Sequence, residues 1–573
     1  MLHLLIGYIY TDISENINEM KRIGVLFILT WVLFGCSAEK KHKHSDKFIF
    51  TYNEPAGITS LDPAFCSSLE NIRAVNQLFN GLVQMNDELK VQPCIAKSWE
   101  LSEDGRVYTF HLRDDVYFHD HEMFPNGKGR KVVAQDFFYS FFRIIDPKTA
   151  STGAQWIVKL LDDSDEADGI GFKAENDSTF KVYLKAPFLP FLGMLTMQYF
   201  SVVPNEVIEH YGSDFRRNPI GTGPFIFKEW VEGGKLIMLK NSNYFEVDST
   251  GYRLPYADAV NVLFIKDEEI AFHEFLKGGL DMLNGLNGEY RNQILDKQGN
   301  LLPEYEDKIS LLSIPFLNTE YLGFMVDPEM EEFKNSPIQN KKIRQAINYG
   351  FDRVSMVKYM RNSMGTPALS GFVPKGMPSY DEEKVKGYNY DPEKAKQLLA
   401  EAGFPNGKGL PVIKLSTTGQ YLDLCEFIQS QLNDVGIRIQ LDVNPPGVHK
   451  ELVAKSQVEF FRKSWIADYP SAENYLSLFN SKNFSPKGSN YTHFKSYKYD
   501  VMLETAIKEQ HDSTRYEMYK ELDKILIEEA PIVPLYYDQV VRFTKKNVTN
   551  LGVNPTNLLT LKYVRRDTTV EVQ

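Results

Sequence analysis

Apolar and polar residues alternate with period two along Lys47–Asn53, which predicts a strand. The same alternation, rich in aromatic and β-branched residues, runs through Val107–His119 after the turn Ser102-Glu103-Asp104-Gly105 and predicts antiparallel hairpins. Helical spacing follows further along. Asp391-Pro392 supplies an N-cap and a proline at the first helical position; Ala395, Leu398, Leu399 and Ala402 form the stripe and Gly403 the stop. Between Arg515 and Glu529 a second stripe joins Met518, Tyr519, Leu522, Ile525 and Leu526, ended by Pro531. A strand, helix and strand in succession predict a βαβ unit over residues 409–443. Strands and helices are mixed throughout, with no repeat and no low-complexity linker. The pattern reads as α/β.

Length bounds the architecture. A chain of 573 residues exceeds what one hydrophobic core supports, roughly 250–300 residues, so two or three lobes are expected. Hydrophobic residues at 43% and charged ones at 24% exclude both a disordered chain and a polytopic membrane protein. The net charge of −12 offers phosphates no basic surface, which argues against nucleic acid as a partner. Aromatics, at 13%, are plentiful.

The N-terminus sets the compartment. Lys21 and Arg22 precede an apolar run from Ile23 to Gly35, which is shorter than the ~20 residues a membrane-spanning helix needs. A basic pair before a short apolar run is the pattern of a secretory signal, the alternative being a buried N-terminal helix. Leu33-Phe34-Gly35-Cys36 resembles a bacterial lipobox, which implies lipidation of Cys36 and anchorage to a membrane facing the periplasm or cell surface. Residues 36–46, rich in Lys and His, read as a solvated tether, and residues 1–19 as an upstream start choice before Met20. The other cysteines, Cys66, Cys94 and Cys425, have no metal or redox spacing and allow at most one disulfide.

Candidate chemistry is sparse. His119-Asp120-His121-Glu122 lacks the i, i+4 spacing of a helical metal pair and reads as a turn with solvated side chains. The run 124–131, "FPNGKGRK", is not a phosphate-binding loop. No GxSxG or SxxK nucleophile motif occurs. Neither a catalytic residue, a metal site nor a cofactor is expected.

Eight blocks in order carry a resemblance. They are "SLDPAFCSSLENIRAVNQLFNGLVQMND" at 60–87, "IAKSWELSEDGRVYTFHLRDDVYFHD" at 95–120, "VAQDFFYSFFRIIDP" at 133–147 and "NPIGTGPFIF" at 218–227. They continue with "KKIRQAINYGFDR" at 341–353, "YDPEKAKQLLAEAG" at 390–403, "WIADYP" at 465–470 and "RYEMYKELDKILIEEAPIVPLYY" at 515–537. Together they resemble the solute-binding proteins of peptide-type ABC transporters, the family of oligopeptide- and dipeptide-binding proteins. The resemblance implies a bilobal clamp of the type II periplasmic-binding-protein kind with an extra inserted subdomain. Lobe I would combine 47–79, 204–310 and 533–573; the inserted subdomain would span 80–203 and lobe II 311–532.

A receptor indifferent to peptide sequence pairs the ligand ammonium with a carboxylate and treats the ligand backbone as an added strand. The resemblance assigns Asp468 to the ammonium. It gives Ser464, Trp465 and Ile466 backbone contacts and an aromatic wall, and it places Ser67 and Leu69 on the opposing lobe. Arg462 matches a position some family members use for the ligand carboxylate, and Trp156 falls either on the cavity or in the core. Ser471-Ala472-Glu473 and the 124–131 insertion depart from the family pattern. The implied partners are a peptide and an ABC permease, with the receptor a monomer. The alternatives are the same fold around a nickel chelate, haem, opine or oligosaccharide, and a secreted lipoprotein hydrolase.

Overall fold

The strand at the head of the fold, β1 (Ile49–Asn53), is short and almost wholly buried beyond its first residue. It is followed by α1 (Leu69–Leu78), β2 (Ala96–Leu101), β3 (Val107–Leu112) and α2 (Ala134–Ile145). Next come β4 (Phe172–Asn176), β5 (Thr179–Tyr183), β6 (Phe225–Val231), β7 (Lys235–Lys240), β8 (Ala259–Leu263), β9 (Met282–Asn284) and α3 (Gly288–Ile294). The second half holds β10 (Ile309–Phe324), α4 (Arg353–Met360), α5 (Pro392–Glu401), β11 (Ile413–Thr418), α6 (Leu422–Asp434) and β12 (Ile439–Asn444). It closes with β13 (Phe460–Ile466), α7 (Glu473–Leu476), α8 (Asp512–Glu529) and β14 (Ile532–Lys545). This computed structural model describes residues 47–165, 168–286 and 288–570. The predicted signal segment, Cys36 and the tether therefore lie outside the described residues.

One large sheet organises the chain, in the order β12-β11-β13-β10-β14-β9-β1-β8-β7-β6. β1 pairs β8 and β9 in parallel, and β11 pairs β12 and β13 in parallel, while the other neighbours in the sheet are antiparallel, a mixed arrangement. The two long central strands carry the architecture. β10 pairs β14 in two stretches, Ile309–Pro315 against Lys545–Gln539 and Thr319–Gly323 against Tyr537–Ile532. The register breaks between Pro315 and Thr319. A separate four-stranded antiparallel sheet, β2-β3-β5-β4, packs its Phe172 and Phe180 with Phe137 and Phe141 of α2.

The predicted βαβ unit is β11-α6-β12, with Leu415, Ile428 and Leu432 in a core shared with Leu322, Phe324 and Phe460. Fully burying each such side chain contributes roughly 1.5–3 kcal/mol. The helix predicted after Asp391 forms, capped by the Asp391 carboxylate accepting from the Lys394 amide. The helix predicted from Arg515 begins earlier, at Asp512.

Two expectations are corrected. The strand predicted to run through His119 stops at Leu112, because Arg113 turns to pair with Asp115 at 2.7 Å. The remaining alternation persists without a ladder: Val116 and Phe118 stay buried and exchange backbone bonds with Val132 and Arg130. His119 is not solvated but 3% exposed, donating from Nε2 to the Gly223 carbonyl at 3.0 Å. Burial pulls its pKa down to about 4, so it stays neutral. Asp120 and His121 do behave as turn residues, holding Lys128 and Tyr211 respectively. Cys66, Cys94 and Cys425 are buried free thiols.

Candidate ligand-binding cleft

β13 is paired on one side with β10 along its whole length, from Phe460–Phe324 to Ile466–Asn318. On the other side β11 meets it only at Ser416–Phe461. Among the described residues Lys463–Ile466 therefore have no strand along that edge, which is the geometry an added strand uses. Ser464 and Trp465 are half-buried there and Ile466 is exposed.

The loop after β13 holds Asp468. Asn474, at the head of α7, organises it: its Oδ1 accepts from Trp465 Nε1 at 2.9 Å and from the Asp468 amide at 3.3 Å, while its Nδ2 donates to the Asp468 carboxylate at 3.2 Å. One buried asparagine thus fixes both the Trp465 indole and the Asp468 carboxylate. The neighbouring Glu473 is itself occupied, accepting from Tyr469 Oη and Ser477 Oγ. Asp468 makes no ion pair among the described residues. Burial, opposed by the Asn474 bond and reinforced by Glu473, pushes its carboxyl up to about 6.

Residues far away in sequence meet Asp468. Trp156 lies edge-on to Tyr469 at 6.2 Å, and Gly193 approaches Pro470. Tyr199 is 5% exposed; burial first, then the charges of Asp468 and Cys66, raise its hydroxyl pKa. Its hydroxyl accepts from Thr152 Oγ1 at 3.3 Å. Ser67 is exposed and Leu69 half-buried at the start of α1. The preceding loop is pinned by Gln198 donating to the Cys66 carbonyl at 2.5 Å and by the Arg143–Asp62 ion pair.

At the other end of β13, Arg462 is already engaged. It donates to Glu320 from Nη2, and its guanidinium stacks on the Tyr421 ring at 3.3 Å. Burial opposes the Arg462 charge, but Glu320, Tyr421 and Tyr536 outweigh it and hold its pKa above the ordinary value. Asn318 Nδ2 donates to both Glu320 (3.2 Å) and Asp538 (3.4 Å), and Asp538 pairs with Arg361 at 2.7 Å. This network joins β13, β10 and β14 through their side chains. Sequence reasoning passed over Asn474, Tyr199, Glu320 and Asp538; the only sign of Asn474 was the departure from the family pattern immediately before it.

Among the described residues no helix is long and apolar enough to cross a membrane, and no group of three or more His, Cys, Asp or Glu is placed to hold a metal. Known proteins share this architecture. The chain is 25% identical to the dipeptide-binding protein DppE of Bacillus subtilis, over 96% of this chain and 100% of the relative. It is 26% identical to heme-binding protein A of Haemophilus influenzae, over 90% of this chain and 94% of the relative. Among solved structures, the periplasmic binding protein DppA from Helicobacter pylori, in complex with the peptide STSA, superposes with a TM-score of 0.73 at 24% identity, covering 91% of this chain and 99% of that one. The fold is the bilobal α/β clamp of type II periplasmic binding proteins with an inserted subdomain. Residues 90–487 match the model of bacterial extracellular solute-binding proteins, family 5 (middle region), and the chain belongs to that family, the extracytoplasmic substrate-binding components of ABC transporters.

Proposed function

We propose that this protein captures peptides between two lobes and delivers them to an ABC permease, held at the periplasmic or cell-surface side of a membrane by lipidated Cys36. In this reading it acts as a monomer and performs no bond chemistry. Lobe I comprises 47–79, 204–310 and 533–573, the inserted subdomain 80–203 and lobe II 311–532. The observation that carries the reading is Asp468: a carboxylate held in place by Asn474, without a cationic partner among the described residues, beside a free strand edge. A peptide supplies what is missing, an α-ammonium for the carboxylate and a backbone for the edge. Trp465 and Ile466 wall the site, Ser464 offers backbone, and Ser67 and Leu69 face the ligand from the other lobe. Closure of the lobes over the ligand then shifts an open–closed equilibrium that the permease reads.

The test is the mass of whatever co-purifies, followed by calorimetry with free-amine and N-acetylated versions of the same peptides. Peptides should co-purify, and only the free-amine forms should bind tightly. Haem or another non-peptide solute in the purified protein, with no peptide raising the melting temperature, would sink the reading.

A further inference from the structure

A second cavity is lined in part by the run 124–131, which departs from the family pattern. It measures about 610 Å³, within the range that small-molecule sites occupy, and none of the residues assigned to the peptide lines it. One wall is fixed by Asp120, which accepts from Lys128 Nζ at 2.8 Å and from the Gly129 amide at 2.9 Å. Glycine is required at 129, since a Cβ there would stand 1.7 Å from the Phe118 carbonyl oxygen.

Another wall comes from the end of β7 and the turn after it. Asn241, 6% exposed, sets this turn: its Nδ2 donates to the Gly223 carbonyl at 2.9 Å and its Oδ1 accepts from the Asn243 amide at 3.0 Å. Ser242 and Asn243 are left exposed, and neither side chain has a hydrogen-bond partner among the described residues. Lys240 and Arg253 bring the charge. Lys240 Nζ donates to Tyr252 Oη at 2.9 Å and lies over the Tyr252 ring, which stacks on Tyr256 at 5.1 Å, itself covered by the Arg565 guanidinium. These contacts hold the ammonium in place without neutralising it. Arg253 Nη1 donates to the Tyr244 carbonyl, again a neutral partner. Neither cation forms an ion pair among the described residues. The two carboxylates on the cavity are already occupied, Asp120 by Lys128 and Asp115 by two bonds from Arg113 at 2.8 and 2.7 Å. Four cations, Lys128, Lys240, Arg253 and Arg113, thus meet two carboxylates, in a chain whose net charge is −12.

We propose that this cavity binds a phosphoryl group, with Arg253 and Lys240 as its charge partners and Ser242 and Asn243 as neutral donors. A phosphoryl group carries up to roughly 1.5–2 negative charges and three strong acceptor oxygens, which matches two uncompensated cations and several separate donors better than a carboxylate does. Arginine supplies a planar fork for such a group and lysine a point charge. The site lies outside the peptide cleft and does not depend on the peptide reading. Free inorganic phosphate and a phospholipid headgroup both carry this chemistry. Only the second also has an apolar part, for which Tyr117, 48% exposed, and Ile226 offer a surface in the same cavity.

Phosphorus NMR titrations of the full chain separate the sources, using inorganic phosphate, glycerol phosphate and dihexanoyl phosphatidylglycerol below its micelle concentration, each with acetate as competitor. At least one phosphorus probe should bind tenfold or more tighter than acetate; tighter inorganic phosphate identifies the free ion, tighter lipid the headgroup. Arg253→Gln combined with Lys240→Gln should weaken that probe at least tenfold, and Arg253→Lys should retain part of the binding. Calorimetry with peptide should match the wild type in each variant. Melting curves establish folding, and should the double variant not fold, Arg253→Gln alone decides, with a loss of at least threefold expected. No phosphorus probe bound more tightly than acetate, or unchanged binding in the folded variants, overturns this inference and leaves the peptide reading standing.

Discussion

The two ends of β13 handle buried charge in opposite ways. At one end Asp468 has a neutral asparagine for company and no counter-charge; at the other, Arg462 is closed by Glu320, stacked on Tyr421 and tied through Asn318 to a second ion pair. A buried carboxylate without a cation makes folding less favourable, whereas a buried pair mostly offsets its own desolvation. On the proposed reading, the difference separates a group kept open for a ligand from groups that hold the strands in register. It teaches that charge within a cleft does not by itself mark ligand contact; what marks it is charge left uncompensated.

That contrast can be broken experimentally, the largest effect first. Glu320→Gln should leave Arg462 buried against a neutral side chain and cost about 3 kcal/mol of stability, measured by chemical denaturation of the ligand-free protein. A loss below 0.5 kcal/mol, itself well under the ~1 kcal/mol of an ordinary hydrogen bond, would show that the pair is not structural. Asp468→Ala should instead leave stability intact or slightly raised, while weakening free-amine peptides roughly 100-fold, about 2.7 kcal/mol, and sparing N-acetylated ones. Equal losses for both ligand forms would contradict the ammonium role.

Asn474→Ala should come next, weakening free-amine peptides by about 2 kcal/mol because a buried partner is removed from both Trp465 and Asp468. Trp465 fluorescence should shift in the same variant; an unchanged spectrum with unchanged affinity would refute the coupling. The smallest effect is that of pH. Because the Asp468 carboxyl is raised to about 6, affinity for free-amine peptides should drop about tenfold from pH 7 to pH 5 as the carboxylate is protonated. The ligand-free protein should show the opposite trend from this group. A carboxyl whose folded pKa is raised contributes stability that is fully present below its unfolded pKa of about 3.9 and is lost as pH rises through about 6. Asp468→Asn should flatten both curves over that window.

Much of the fold was readable along the chain, because burial on one face of a strand or helix leaves a periodic trace. The βαβ unit at 409–443 and the Asp391-capped helix formed where their stripes placed them. The segment 113–119 kept the alternation of a strand but paired only through the returning chain near Lys131, since alternation records which side is buried and not whether a partner strand is present. His119 was misread for a related reason: a polar residue next to charged neighbours looks solvated until its carbonyl partner, Gly223, arrives from 104 residues away.

The site divides in the same manner. Asp468, Trp465 and Arg462 were named because the resemblance assigns roles to the block 465–470 and to a position three residues before it; they lie on one strand and its following loop. Sequence by itself thus determined the α/β class and the principal helices and strands, which depend on neighbours within a few turns of chain, while the candidate residues of β13 came from the resemblance. Tertiary structure alone decided which of those charges is already paired. Glu320 stands on β10, which pairs β13 from 142 residues away, and Asp538 stands on β14, which meets β10 across more than 200 residues. Coulomb energy depends on distance in space and on burial, and neither quantity is written in the spacing of residues along a chain.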